Sequence, residues 1–150
     1  MMIIHTASEG ITLARKLEND SAQFYEGLAK KYAPDAETYL SFAKENKKII
    51  AQIDRAYYGV ITDALEGGYA FNLETESYVL KTAVPEKAKY ADVLKQAAAM
   101  EEKIIAYYTA AAEQSRALMA DVPRTFLLVA RKRKTRQEKL QELLSREGGK

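Results

Sequence analysis

The sequence predicts an all-α fold: four long helices in two antiparallel hairpins, joined by a long crossover. Three observations predict it. Apolar residues recur at spacings of three and four in four separate stretches. Gly (7) and Pro (3) are scarce among the 150 residues, whereas good helix formers are common. Turn and cap residues divide the four stretches into two closely linked pairs with one long link between them. Residues 1–150 are expected to form a single domain.

The first helix is expected to begin at Thr6 or Ser8, either of which can cap it, and to run to about Tyr32. Its inward stripe is Ile11, Ala14, Leu17, Ser21, Phe24, Tyr25 and Leu28. Pro34 breaks it, and Asp35 can cap a second helix that runs to about Tyr58. The second stripe is Tyr39, Phe42, Ala43, Ile49, Ile50, Ile53 and Tyr57, and Gly59 permits a stop. From Gly59 to Lys87 the periodicity weakens. Gly67-Gly68 marks a turn there, and Thr75 to Ala83 is read as a short helix. The third helix runs from about Asp92 to Leu118 on Leu94, Ala97, Ala98, Ile104, Ile105, Tyr108, Ala111 and Ala112. Asp121 can cap the fourth, with Pro123 tolerated in its first turn and a stripe of Phe126, Val129, Ala130, Leu140, Leu143 and Leu144. Glu147 to Lys150 should fray.

Composition removes several chemistries. Cys is 0, which excludes disulfides, thiolate zinc sites, cysteine nucleophiles and cysteine-bound iron–sulfur clusters. The one histidine, His5, precedes the first helix and reads as a surface residue or an N-terminal contact. A net charge of +2 does not itself imply a polyanionic partner. No apolar run is long enough to span a bilayer, and Met1 to Ile4 is too short and lacks the basic flank of a signal peptide. A cytoplasmic protein without a membrane partner is the expectation.

The two halves repeat each other. Placing Glu18 on Glu101 brings Ala14 onto Ala97, Ala22 onto Ile105, Phe24 onto Tyr107, Tyr25 onto Tyr108 and Ala29 onto Ala112. In the second and fourth helices a slightly larger offset brings Tyr39 onto Phe126, Ala43 onto Ala130, Asn46 onto Arg133, Ile49 onto Arg136 and Ile53 onto Leu140. Each helix then carries one large polar residue inside its apolar stripe: Glu18, Asn46, Glu101 and Arg133. On a 3.6-residue period all four point inward. A buried charge must be paired, coordinated or neutralised.

These stretches resemble a known family. Leu17-Glu18-Asn19-Asp20-Ser21-Ala22-Gln23-Phe24-Tyr25, Phe42-Ala43-Lys44-Glu45-Asn46-Lys47-Lys48-Ile49, Met100-Glu101-Glu102-Lys103-Ile104-Ile105-Ala106-Tyr107-Tyr108 and Val129-Ala130-Arg131-Lys132-Arg133 look like the rubrerythrin-type branch of the ferritin-like diiron proteins. The resemblance implies a four-helix bundle, commonly dimeric. In it two helices each give a Glu and two each give Glu-x-x-His to a pair of iron or manganese ions. The lone glutamates correspond to Glu18 and Glu101, both kept. The paired motifs fall on Asn46 to Ile49 and on Arg133 to Arg136, and all four of their ligands are replaced. The four-cysteine rubredoxin-type module that relays electrons in that family has no counterpart in this chain.

The replacement suggests its own chemistry. Arg133 and Arg136 bring two positive charges to Glu18 and Glu101, and an Arg fork suits a carboxylate. An Arg–Glu cluster is expected in the former metal cavity, with Asn46 and the hydroxyls of Tyr25 and Tyr108 completing its hydrogen bonds. The alternative is that Arg133 or Arg136 reaches out to solvent and the glutamates bind water. Glu45 and Glu102 flank the stripes and could turn inward as ligands, although a solvated face is the commoner fate. Of the 10 tyrosines, Tyr57, Tyr58, Tyr69 and Tyr78 belong to the crossover region and could pack beneath it or form a dimer face.

From Asp121 to Lys150 there are nine Lys and Arg against four Asp and Glu. Arg133 and Arg136 turned inward leave a thinner basic strip, which argues against a nucleic-acid partner. The leading expectation is a non-catalytic bundle without a resident metal, acting through its surfaces as a homodimer. One alternative is a metal-binding oxidoreductase that holds iron or manganese through Glu18, Glu101 and atypical further ligands. A weaker one is a nucleic-acid-associated protein that uses the fourth helix.

Overall fold

The computed structural model describes residues 3–60, 69–116 and 122–148. The chain order is β1 (Ile3–Thr6), α1 (Ala7–Lys31), a 3-10 turn (Ala33–Asp35) and α2 (Ala36–Val60). After these come β2 (Tyr69–Glu74), a second 3-10 turn (Thr75–Tyr78), α3 (Tyr90–Ser115) and α4 (Val122–Gly148). Thr6 caps α1 through a capping box. Its hydroxyl accepts from Glu9 N at 3.1 Å, while Glu9 Oε1 accepts from Thr6 N at 3.0 Å and His5 N at 3.2 Å. Those backbone donors hold the Glu9 carboxyl below its ordinary pKa.

Polar contacts set the directions of the helices. Between α1 and α2, Arg15 meets Asp54 and Tyr25 meets Tyr39 and Phe42, so numbers rise on one helix as they fall on the other. Between α3 and α4, Gln137 meets Ala98, Arg133 meets Glu101 and Phe126 meets Tyr108, the same antiparallel sense. Tyr25 to Glu101 and Tyr108 to Glu18 make α1 antiparallel to α3 as well. Therefore α2 and α3 are parallel, and the chain between them must return along their length.

It does so over the α1–α3 seam. Asn72 N donates to Gln114 Oε1, Lys103 Nζ donates to Val79 O, and Gln96 Nε2 donates to the carbonyls of Lys81 and Ala83. Lys31 Nζ then meets the carbonyls of Pro85 and Glu86. The start of this strap pairs antiparallel with β1 (Ile3↔Glu74, Ile4↔Leu73, Thr6↔Tyr69), with an irregularity between Ile4 and Thr6.

Several expectations need correction. The strand pair was not foreseen. The helix expected over Thr75 to Ala83 shrinks to the turn Thr75–Tyr78, because the following carbonyls accept from α3 side chains and not from helical amides. Asp35 sits in a 3-10 turn. Its carboxylate accepts from Tyr90 Oη at 2.6 Å and from Arg146 at 2.6 and 3.1 Å, which ties the α1–α2 corner to the start of α3 and the end of α4. Tyr39 joins that corner at 2.5 Å from Tyr90 Oη, and burial pushes its phenol up to about 12. The third helix begins at Tyr90, close to the start expected near Asp92. Gly59 lies inside α2, and Glu147 and Gly148 are helical where fraying was expected. Gly67-Gly68, Leu118, Asp121 and residues 149–150 lie outside the described residues. Of the crossover tyrosines, Tyr57 is buried, Tyr58 is exposed and Tyr78 packs edge-on against Tyr107. Among the described residues no helix is long and apolar enough to cross a membrane.

The two glycines of α1 make opposite tests of this packing. A Cβ on Gly10 would lie 2.6 Å from the ring of Phe71 in β2, whereas one on exposed Gly27 meets nothing within 4 Å. Gly27→Ala should therefore raise unfolding stability by about 1 kcal/mol through helix propensity. Gly10→Ala should lower it by roughly 1–3 kcal/mol through overpacking, and Phe71→Leu should relieve the effect. Urea unfolding of the variants checks the order, and a stabilising Gly10→Ala would mean that the strap does not seat on α1 as described.

Candidate functional site

Four helices converge on one buried polar cluster. Glu18, Ser21 and Tyr25 share the inner face of α1 at spacings of three and four. Asn46 comes from α2, Glu101 and Tyr108 from α3, and Arg133 and Arg136 from α4, one turn apart. Glu18, Asn46, Glu101 and Arg133 are each 0% exposed and Arg136 is 2% exposed, so neither arginine reaches solvent.

Arg133 lies between the carboxylates. Its Nη1 donates to both oxygens of Glu101 at 2.9 Å, and its Nη2 donates to Glu18 Oε2 at 2.6 Å and Ser21 Oγ at 3.1 Å. The phenols cross between the halves of the repeat: Tyr25 donates to Glu101 Oε2 at 2.6 Å, and Tyr108 donates to Glu18 Oε2 at 2.8 Å. Asn46 Nδ2 donates to the Glu18 carbonyl at 3.0 Å and to Ser21 Oγ. Arg136 forms a second layer. Its Nη1 donates to Asn46 Oδ1 at 2.7 Å and stands 3.9 Å from Glu101. Its Nη2 donates to Glu45 Oε1 at 2.7 Å and the Phe42 carbonyl at 3.2 Å. The guanidinium also lies over the ring of Phe42 at 4.8 Å and near that of Tyr25 at 5.4 Å.

The electrostatics follow from this layout. Burial disfavours the Arg133 cation, but Glu101 and Glu18 outweigh it and hold its pKa above the ordinary value. Burial, reinforced by the adjacent carboxylates, pushes the phenols of Tyr25 and Tyr108 well above theirs. Glu18 Oε1, Arg133 Nε and Arg136 Nε have no hydrogen-bond partner, so the cluster is paired in charge but not saturated in hydrogen bonds.

Glu18, Glu101, Arg133, Arg136, Asn46, Tyr25 and Tyr108 thus stand together, and Ile49 is fully buried one turn beyond Asn46. Two members were missed. Ser21 lies on the inward stripe, as expected, without having been counted in the cluster, and Glu45 was expected on a solvated face in preference to turning inward. In the structure Glu45 is half-exposed and closes on Arg136. Glu102 is exposed, and His5 lies half-buried on β1.

As donors these residues do not suit a pair of divalent ions. Both oxygens of Glu101 and one of Glu18 already bind a guanidinium, and no imidazole faces them. Among the described residues no three Asp, Glu, His or Cys side chains gather as a metal-binding group. A separate cavity of about 510 Å³ opens between α1 and the strap over Ile4, Leu13, Leu17, Tyr78 and Leu80, and none of the cluster residues lines it. No protein-family model, curated protein or solved structure matches this chain.

Removing one partner of a buried pair strands the other. Arg133→Ala should cost on the order of 3–5 kcal/mol. The double change Glu101→Leu/Arg133→Met should cost clearly less than the sum of its single changes in urea unfolding, and additive costs would mean that the residues are uncoupled.

The phenols give a pH signature. Their folded pKa values lie above the unfolded value of 10.0, so the folded state keeps protons that the unfolded chain releases. Their contribution to stability is therefore constant below about pH 10 and is lost as pH rises above it. Tyr25→Phe and Tyr108→Phe should each flatten the alkaline fall in unfolding free energy relative to the parent. Parallel pH profiles for parent and variants would show that these phenols ionise as freely folded as unfolded.

Proposed function

We propose that this chain is a rubrerythrin-type, ferritin-like four-helix bundle whose two-metal centre has been replaced by the Glu18–Arg133–Glu101 cluster. On this reading the protein is not a catalyst of metal–oxygen chemistry. It is a cytoplasmic, homodimeric interaction protein that keeps the bundle as a scaffold and works through its surfaces. The observation that carries the reading is the position of Arg133. One guanidinium lies between the two carboxylates that correspond to the family's lone glutamate ligands. Three further observations support it. The tyrosines Tyr25 and Tyr108, equivalent in the repeat, exchange carboxylates across the halves. The α2–α3 connection returns over the length of the helices, as that topology requires. The Glu-x-x-His positions hold Asn46, Ile49, Arg133 and Arg136, which supply no anionic or imidazole ligand.

Metal titration of two proteins tests the proposal. The parent, purified from iron- and manganese-supplemented cells, should hold no stoichiometric metal, and its melting temperature should not respond to iron(II) or manganese(II). The variant Asn46→Glu/Ile49→His/Arg133→Glu/Arg136→His places two carboxylate–imidazole pairs opposite Glu18 and Glu101. Its melting temperature should rise with either ion by mass action. About two metals per parent chain, as the intact family centre would hold, lost on Glu18→Gln/Glu101→Gln, would restore the oxidoreductase reading. A folded variant indifferent to metal would refute the family register.

A further inference from the structure

The two outer seams of the molecule differ. The α1–α3 seam is covered by the strap from Phe71 to Glu86. The α2–α4 seam carries no such cover among the described residues, and both of its banks are cationic.

The banks are brought together by the fold. Lys132 on α4 donates to Gln52 on α2 at 3.1 Å, and Arg136 donates to Asn46 and Glu45. These contacts fix an antiparallel register in which Gln52 of α2 lies beside Lys132 of α4, and the α2 stretch around Lys48 lies beside the α4 stretch around Thr135. On α2, Lys44, Lys48 and Arg55 are exposed; on α4, Arg124 and Arg131 are exposed and Lys132 is half-exposed. Among the described residues none of these six pairs with a carboxylate. Acids are absent from Asn46 to Ile53 and from Arg124 to Gln137. The nearest acids on α2 are already engaged, Glu45 by Arg136 and Asp54 by Arg15. These six cations therefore face solvent without a paired carboxylate among the described residues.

We propose that this seam binds the phosphate backbone of duplex DNA without sequence preference. The α2 row extends over about 16 Å at 1.5 Å per residue and the α4 row over about 12 Å. Packed helices lie about 8–10 Å apart. Two such rows, staggered and overlapping near Gln52 and Lys132, can at that separation each follow one strand beside a minor groove about 6 Å wide. Polar residues between the rows are few (Gln52, engaged by Lys132, and Thr135), so the seam offers phosphate contacts and no set of forks for reading bases. The inference does not rest on the ferritin-like assignment. It depends on the adjacency of α2 and α4, which doubles the basic strip that the fourth helix presents alone.

Fluorescence anisotropy with a labelled mixed-sequence DNA duplex tests it on the full chain. Binding at low salt should weaken with added salt, with a log–log slope of about −4 to −5 for five or so phosphate contacts. Lys48→Glu/Arg131→Glu should lower low-salt affinity at least tenfold and reduce the slope by about 2, while Lys87→Glu/Lys95→Glu, an equal charge change away from the seam, should stay within about twofold. Far-UV circular dichroism confirms that both variants remain helical. Absence of binding at low salt would overturn the proposal. So would equal losses in the two variants, or binding to phosphatidylserine vesicles without binding to the duplex.

Discussion

One guanidinium between two carboxylates is the constraint around which this molecule is arranged. Arg133 reaches Glu101 on the neighbouring helix of its own hairpin and Glu18 on the opposite hairpin. The three groups are fully buried, so none can fall back on water. Rotation or slippage of α1, α3 or α4 would leave a charge without its partner in a medium of low polarizability, at a cost of several kcal/mol. The net gain from such a cluster can be small, because desolvation offsets much of the attraction. What it supplies is a penalty for wrong registers. Apolar stripes of Ala, Leu and Ile can slide past one another by a turn with modest loss, whereas a buried ion triad cannot.

The repeat explains why the triad is asymmetric. In the first and third helices the two halves remain equivalent: Glu18 matches Glu101, Tyr25 matches Tyr108, and each phenol serves the carboxylate of the other half. In the second and fourth helices they differ, Asn46 and Ile49 standing against Arg133 and Arg136. A cation that bridges both carboxylates is needed once. A second one at position 46 would face Arg133 across the same two carboxylates. That position holds Asn46, which is neutral, accepts from Arg136 and donates to the Glu18 carbonyl and Ser21. Arg136, the counterpart of Ile49, is stepped outward by one turn. It is balanced there by Glu45 and by the faces of Phe42 and Tyr25.

Much of this was legible in the sequence, and the failures have physical causes. Four long helices follow from apolar spacing, and the inward polar residues stand out because they interrupt that spacing. The β1–β2 pair was hidden for a different reason. Phe71 and Leu73 are buried and Asn72 and Glu74 exposed, a period-two pattern over only a few residues, and its four-residue partner strand Ile3–Thr6 ends on the residue that caps α1. Short strands are stabilised by pairing, which a single segment does not reveal. Glu45 was misread because its angle on α2 points away from the core; only the neighbouring α4 brings Arg136 within reach of its long side chain. Ser21 lies inward as its place in the stripe predicts, but a small residue in a stripe usually signals close packing, so its polar role did not stand out. Here its hydroxyl accepts from Asn46 and from Arg133.

The same limit applies to surfaces. Along the chain, the basic run of the fourth helix loses two of its arginines to the interior, and the second helix shows no basic run of its own to set beside it. Folding keeps those two arginines inside and sets the basic strip of α4 beside α2. Inward Arg133 and Arg136 engage Glu18, Glu101 and Glu45, and Arg15 engages Asp54, so the outward cations Lys44, Lys48, Arg55, Arg124, Arg131 and Lys132 keep no paired carboxylate among the described residues. The strap covers the opposite seam and adds backbone carbonyls and acids there, not along α2 and α4. Internal pairing and external charge are thus linked: the residues that neutralise the core are the ones that leave one face of the molecule electrically unbalanced.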